Sequence, residues 1–310
     1  MKSSEGGEGK GVKLALICPC GAPDLKRTRQ GMEILESWGF QVLPGPILQR
    51  CLAGSAPPSE LAFLAAADDE RREELAWALG PEVDACWVVR GGHGLTRLVG
   101  CLPELGAPRP VFGFSDVSAL LHALQKRGWH QLFHCANVQT LPVLDADSLE
   151  ATRRLVQEGC LLPLSGRWLR PGRAEGRLWG GNLCVLTCLC GTPEGFQGEG
   201  CILALEDVRE AAYRLDRMLV QLEAGGAFRG LAGVALGSFV ECGDLGALWR
   251  HWVDRWQVPV LADLAFGHAA DNYPLALGRR VVLDQSQMSW VERSIFSGMG
   301  AGPKSSEFSG

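Results

Sequence analysis

The chain has 310 residues, 46% of them apolar and 7% aromatic, ample for a large core and long for one small domain, so one large or two medium domains are expected. Its formal net charge is −5, and acidic and basic residues are interspersed without a basic stripe that could neutralise phosphates, which argues against nucleic acid as a partner. Residues 1–11 are polar and Gly-rich, and every apolar run is broken by Gly, Pro or charge. With no signal-peptide core and nothing near the ~20 apolar residues that span a bilayer, the expectation is a cytoplasmic protein with no membrane partner.

In chain order, Val12–Cys18 is a short apolar run closed by Pro19, and Asp24–Trp38 carries Leu25, Met32, Ile34 and Leu35 at helical spacing. Strand then helix is predicted, with Gly39 as the helix stop and Phe40–Leu43 as a second strand. A charged helix over Asp68–Leu79 precedes a buried strand, Ala85–Val89, which ends in the turn Arg90-Gly91-Gly92-His93-Gly94. A further strand, Pro110–Phe114, leads into a helix over Asp116–Gln125. This alternation predicts an α/β fold whose first domain, residues 12–150, is a doubly wound, mostly parallel sheet binding ligands beyond the carboxyl ends of its strands.

After a helical piece at Ala151–Glu158, Pro163, Gly166, Pro171, Gly172 and Gly176 make 151–177 read as a connection between domains. A smaller, strand-rich α/β domain is expected over 178–297. Its strands are read at Leu178–Leu183, Ile202–Glu206, Val234–Val240 and Val258–Leu261, with a helix at Ala211–Glu223. Residues 298–310 lack periodicity and read as a disordered tail.

The twelve cysteines include Cys18 with Cys20 and Cys188 with Cys190, pairs one residue apart rather than CxxC knuckles. Reduced, mostly buried thiols are expected, and no His/Cys/Asp/Glu cluster has metal-ligand spacing, so neither metal nor other cofactor is expected. Gly91-Gly92-His93-Gly94 could supply a backbone N–H to an anion, but it lacks the G-x-G-x-x-G pattern, and no G-K-[ST] occurs, which disfavours nucleotide binding.

Ser115 ends an abrupt strand-to-helix turn, where a hydroxyl can be an exposed nucleophile over helix N–H groups or simply a helix N-cap. Val117 stands where G-x-S-x-G would close, so this is not an α/β-hydrolase elbow. Glu206 ends an apolar run and is either a carboxylate awaiting a cationic or donating partner or a helix-entry acid facing the helix that follows. Among the six histidines, His122, His130 and His251 lie on polar, helix-like segments and are expected to face solvent. His134 reads as a core hydrogen-bonder, His93 belongs to the Gly-rich turn, and His268, in Ala265-Phe266-Gly267-His268, is best placed to reach another domain.

The order and surroundings of these motifs closely resemble the LD-carboxypeptidase family, which includes the microcin C immunity peptidases. The resemblance rests on Leu52-Ala53-Gly54-Ser55, Arg90-Gly91-Gly92-His93-Gly94, Gly113-Phe114-Ser115-Asp116, Gly180-Gly181-Asn182-Leu183 and Gly191-Thr192-Pro193. It continues through Leu205-Glu206-Asp207-Val208, Tyr213 to Leu219, Phe266-Gly267-His268, Asn272 and Leu277-Gly278, covering nearly all of 12–291.

It implies a Ser115–His268–Glu206 triad in a cleft between domains, an oxyanion hole from the backbone N–H groups of Gly92 and Asp116, and a homodimer. The implied substrate is a murein-derived peptide with an L,D bond, cleaved during cytoplasmic cell-wall recycling. His93 stands where the family commonly has Tyr, and His134-Cys135-Ala136-Asn137 where His-Gly-Pro-Met is usual, which leaves substrate preference open. A peptidyl-nucleotide is the rival substrate, for which Trp168 could stack on a base, and a non-catalytic peptide-binding protein is the lesser alternative.

Overall fold

Strands β1 (Lys13–Ile17), β2 (Gln41–Pro44), β3 (Ala85–Val88), β4 (Val111–Gly113) and β5 (Leu132–His134) pair in parallel, in the order β2-β1-β3-β4-β5. They belong to a computed structural model that describes residues 11–55 and 60–292, so the expected tail at 298–310 lies outside the described residues. Helices α1 (Leu25–Ser37), α2 (Pro46–Leu52), α3 (Asp68–Ala78) and α4 (Val117–Lys126) join these strands. α1 starts where the Asp24 side chain accepts from Arg27 N at 3.1 Å and stops before Gly39, whose φ of +91° releases the chain from the helix.

In this strand order the connections reverse direction between β1 and β3, which opens a crevice beyond their carboxyl ends. The Gly-rich turn follows β3 there, and Gly21 N, from the loop after β1, bonds Gly91 O at 3.2 Å.

The remaining chain builds a second, eight-stranded sheet. After α5 (Ala146–Glu158) come β6 (Leu164–Ser165), β7 (Arg167–Arg170), β8 (Ala174–Asn182), β9 (Cys201–Val208), β10 (Gly233–Val240) and β11 (Val260–Ala262), with α6 (Leu183–Cys188), α7 (Ala212–Ala224) and α8 (Gly246–Trp256) between them. β8 to β11 are parallel, and β7 closes one edge antiparallel to β11. β13 (Arg280–Asp284) and β14 (Gln287–Trp290) extend the other edge toward β6. One strand of this half, β12 (Leu275–Leu277), instead pairs antiparallel with β5 and completes the first sheet at six strands.

Residues 151–177 are therefore not a plain connection. They finish α5 and supply β6, β7 and the start of β8. Pro163, Gly166, Pro171 and Gly172 fall before or between these strands, and Gly176 lies inside β8, where a Cβ would come 2.6 Å from Gly200 O. Trp168 lies on edge strand β7, half-buried against the central core.

That core joins the facing sides of both sheets, from Leu14, Trp87, Phe112 and Phe133 to Ala235, Leu261 and Phe266. The rings of Trp87, Phe112 and Phe133 stack in sequence at 4.6 and 4.9 Å. A second cluster lies under α3 and α4, and a third under α7 and α8. Val117 through Leu124 of α4 are all buried, His122 included, contrary to the solvent-facing expectation for that residue. α4 is covered on every side, so its one histidine sits in the core with Nε2 3.0 Å from Gly180 O, and burial pushes its pKa down to about 4. All twelve cysteines are free thiols, with Cys18, Cys20, Cys51, Cys86, Cys135, Cys201 and Cys242 buried.

Candidate functional site

Three candidate residues arrive from three separate pieces of chain. Ser115 follows β4 of the first sheet, Glu206 lies on β9 of the second, and His268 sits in the loop between β11 and β12. Ser115 has φ +67°, a left-handed conformation that a non-glycine residue adopts only at a cost of about 1–2 kcal/mol. The N-cap of α4 is Asp116, without a side-chain cap bond, so Ser115 is not the capping serine. Strain concentrated at the sharp turn fits an elbow that presents a hydroxyl.

Two neighbours hold that elbow. Phe114 N donates to Asn137 Oδ1 at 3.2 Å, and the Asp116 carboxylate accepts from Leu95 N at 2.9 Å, joining the elbow to the end of the Gly-rich turn. A Cβ on Gly91 would lie 3.0 Å from Ser115 Cβ and 3.2 Å from its Oγ, so only glycine lets the turn lie against the serine. Gly92, at φ +109°, follows directly. Arg71, fully buried, anchors the outer side of the turn by donating to Gly94 O at 3.1 Å and to Pro19 O.

On β9, successive side chains point to opposite faces. Asp207 turns to the N-terminus of α6, accepting from Cys184 N at 2.9 Å and from Asn182 Nδ2 at 3.1 Å. Glu206 turns the other way, fully buried, with Oε2 2.6 Å from His268 Nδ1. Asp207 thus serves α6, the helix before β9, whereas Glu206 turns to His268 rather than to a helix end. Burial opposes the Glu206 carboxylate, yet the facing imidazoles of His268 and His134 hold it well below the usual carboxylate range. Burial likewise disfavours the His268 imidazolium, but Glu206, with Asp207 beyond it, outweighs that and raises His268 above the usual histidine value.

Gly267 and Asn272 set the His268 loop. Asn272 Oδ1 accepts from Gly267 N at 3.0 Å, and Asn272 N donates to Ser148 Oγ of α5 at 2.9 Å. A Cβ on Gly267, at φ +118°, would come 2.9 Å from Glu206 Oε2.

Glu206 and His268 are in direct contact. The ring of Phe114, which precedes Ser115 in the chain, lies 4.7 Å from the His268 ring, centroid to centroid. No hydrogen bond joins Ser115 to His268 among the described residues, an arrangement common where such contacts tighten only around substrate.

His93 is exposed at the rim beside Phe63, ring centroids 5.5 Å apart. The sequence named Asn272 and Asn137 only within the stretches that carry or depart from the resemblance, and it gave no role to them or to the Asp116 carboxylate, because each acts through backbone groups that no local pattern reveals. Among the described residues, no group of three or more His, Cys, Asp or Glu is arranged to hold a metal ion, and no helix is long and apolar enough to cross a membrane.

Residues 14–135 match the LD-carboxypeptidase N-terminal domain and residues 175–283 the LD-carboxypeptidase C-terminal domain. The murein tetrapeptide carboxypeptidase of Pseudomonas aeruginosa is 34% identical over 250 residues, covering 74% of this chain and 81% of that protein. The crystal structure of muramoyltetrapeptide carboxypeptidase from Oxalobacter formigenes superposes with a TM-score of 0.76 at 28% identity, covering 89% of this chain and 97% of that one. The microcin C7 self-immunity protein in complex with aspartyl sulfamoyl adenosine gives a TM-score of 0.77 at 20% identity over 92% of this chain and 97% of that one, a likeness of fold. With both of its halves matched in order, the chain belongs to the LD-carboxypeptidase family.

Proposed function

We propose that this protein is a serine carboxypeptidase that hydrolyses an L,D-peptide bond and releases the terminal D-alanine of murein tetrapeptide in cytoplasmic cell-wall recycling. The observation that carries the reading is the 2.6 Å contact between His268 Nδ1 and the buried Glu206, set beside a strained serine at a strand-to-helix elbow. Glu206 fixes the imidazole tautomer, leaving His268 Nε2 free to take the Ser115 proton as Oγ attacks the scissile carbonyl. The backbone N–H groups of Gly92 and Asp116 receive the developing oxyanion. His268 then returns the proton to the leaving amine, and water, activated by the same imidazole, releases the acyl group. The relatives from Pseudomonas and Oxalobacter, by their names, support the substrate class.

A peptidyl-nucleotide substrate is the second reading, favoured by the 30% identity over 301 residues to the microcin C7 self-immunity protein of Escherichia coli. Trp168 gives it little support, since its ring packs on the core. Mass spectrometry of the protein with murein tetrapeptide, beside Ser115→Ala, decides between them. D-alanine release by the parent alone supports the first reading. No release, with cleavage of a peptidyl-nucleotide, favours the second.

A further inference from the structure

Glu206 faces two histidines. Its Oε2 is taken by His268, while Oε1 has no hydrogen-bond partner among the described residues and stands 3.7 Å from His134 Nε2. His134 is fully buried, and neither of its ring nitrogens has a partner. A carboxylate can only accept, so a pairing between these two orphaned groups requires a proton on His134 Nε2. Two unpaired polar groups are costly to bury, and a small approach satisfies one atom of each.

We propose that His134 is a positioning residue for the triad carboxylate, donating Nε2–H to Glu206 Oε1 while His268 holds Oε2. The inference rests on the triad reading above. His134 is placed for this by its backbone: it ends β5, in register with Gly113 of β4 on one side and Leu275 of β12 on the other. Its ring lies edge-on between Phe114, at 5.9 Å, and Phe266, at 6.3 Å. A Cβ on Gly181 of β8 would already approach its Cδ2 at 3.4 Å. Through this contact the sheet that carries Ser115 also grips the carboxylate carried by the other sheet.

The other titratable groups around the pair are His268 on the far oxygen, Asp207 next along β9 and His122 of α4, which burial keeps neutral. A donor on Oε1 stops the carboxylate from rotating and draws charge from it, which limits how firmly Glu206 holds a proton on His268. Without that donor, His268 should keep its proton to higher pH.

The test compares His134→Phe, which fills the space without a donor, with His134→Gln, whose amide can donate from a similar position. The first readout is nitrogen-15 NMR of the parent, assigned with His268→Gln: His134 should be the Nε2–H tautomer, and an Nδ1–H tautomer overturns the proposal whatever the variants do. In His134→Phe the His268 titration should move upward and kcat should fall by about tenfold with little change in KM. His134→Gln should stay near the parent in both. An unmoved His268 titration in His134→Phe, or equal losses of kcat in both variants with unmoved titrations, would leave His134 a packing residue and sink the idea. Should His134→Phe fail to fold, the parent tautomer and the His134→Gln titration still decide. The NMR readouts need no turnover, so a parent that releases no D-alanine refutes the substrate reading without touching this one.

Discussion

Glu206 Oε2 and His268 Nδ1 meet at 2.6 Å across 62 residues of chain, one on a central strand of the second sheet and the other on the loop that returns to the first. The contact makes the pH behaviour of the protein a property of the pair. An imidazole acting as base must be neutral, and Glu206 raises His268 above its ordinary value. The acid limb of kcat/KM should therefore lie above ~6.5 in the parent and move downward in Glu206→Gln, where Asp207 alone is left to oppose burial, with kcat reduced by roughly 10⁴. A pH–rate profile of both proteins checks this.

The same pair predicts a window of stability. Glu206 has a depressed folded-state pKa, so its contribution is fully present above the unfolded value of ~4.3 and is lost as pH falls toward about 2. His268 has a raised one, so its contribution is fully present below ~6.5 and is lost as pH rises through its folded value. Urea unfolding should show the parent's advantage over Glu206→Gln greatest between ~4.3 and ~6.5.

Ser115 should be dispensable for folding and indispensable for turnover. Ser115→Ala and Ser115→Gly are both expected to be inactive, but only glycine suits φ +67°. Ser115→Gly should be the more stable of the two by about 1 kcal/mol, read from their urea midpoints. Equal stability would argue that the elbow is unstrained.

Much of this architecture was legible in the sequence where one local pattern sufficed. Asp24 and Gly39 bound α1, and the strands before Arg90 and Ser115 were foreseen to within a residue or two. β12 spans only Leu275–Leu277 and offers no period to read. His122 misled because polar spacing signals solvent only on a helix with an open face, and α4 has none. The pairing of Glu206 with His268 has no local signal either. It was expected from family resemblance rather than from either residue's neighbours.

Gly267 leaves no room for a side chain. Gly267→Ala would push a methyl to 2.9 Å from Glu206 Oε2 and 2.5 Å from Ser238 Oγ, and should cost about 2–4 kcal/mol and most of kcat. Gly39→Ala, at φ +91° with nothing within 4 Å, isolates the backbone cost and should lose only about 1 kcal/mol with activity intact. Thermal unfolding and kcat of the two variants separate clash from conformation.

The clasp between Asp116 Oδ2 and Leu95 N should matter to the transition state more than to binding. Asp116→Ala is expected to lower kcat by about tenfold to a hundredfold with KM nearly unchanged, as the Gly92 N–H loses its register with the elbow. Asp116→Asn retains an acceptor and should keep most of the rate. A rise in KM alone would count against an oxyanion role for this turn.

β12 makes the order of synthesis relevant to folding. The first sheet receives its sixth strand from residues 275–277, so nascent chain that already contains the whole Ser115-bearing half still presents the outer edge of β5 unpaired. An open, apolar edge is a template for association with other chains. Completion of this sheet waits on a contact more than 140 residues away in sequence, between Leu132 and Leu277, so the last step of folding is long-range and correspondingly slow.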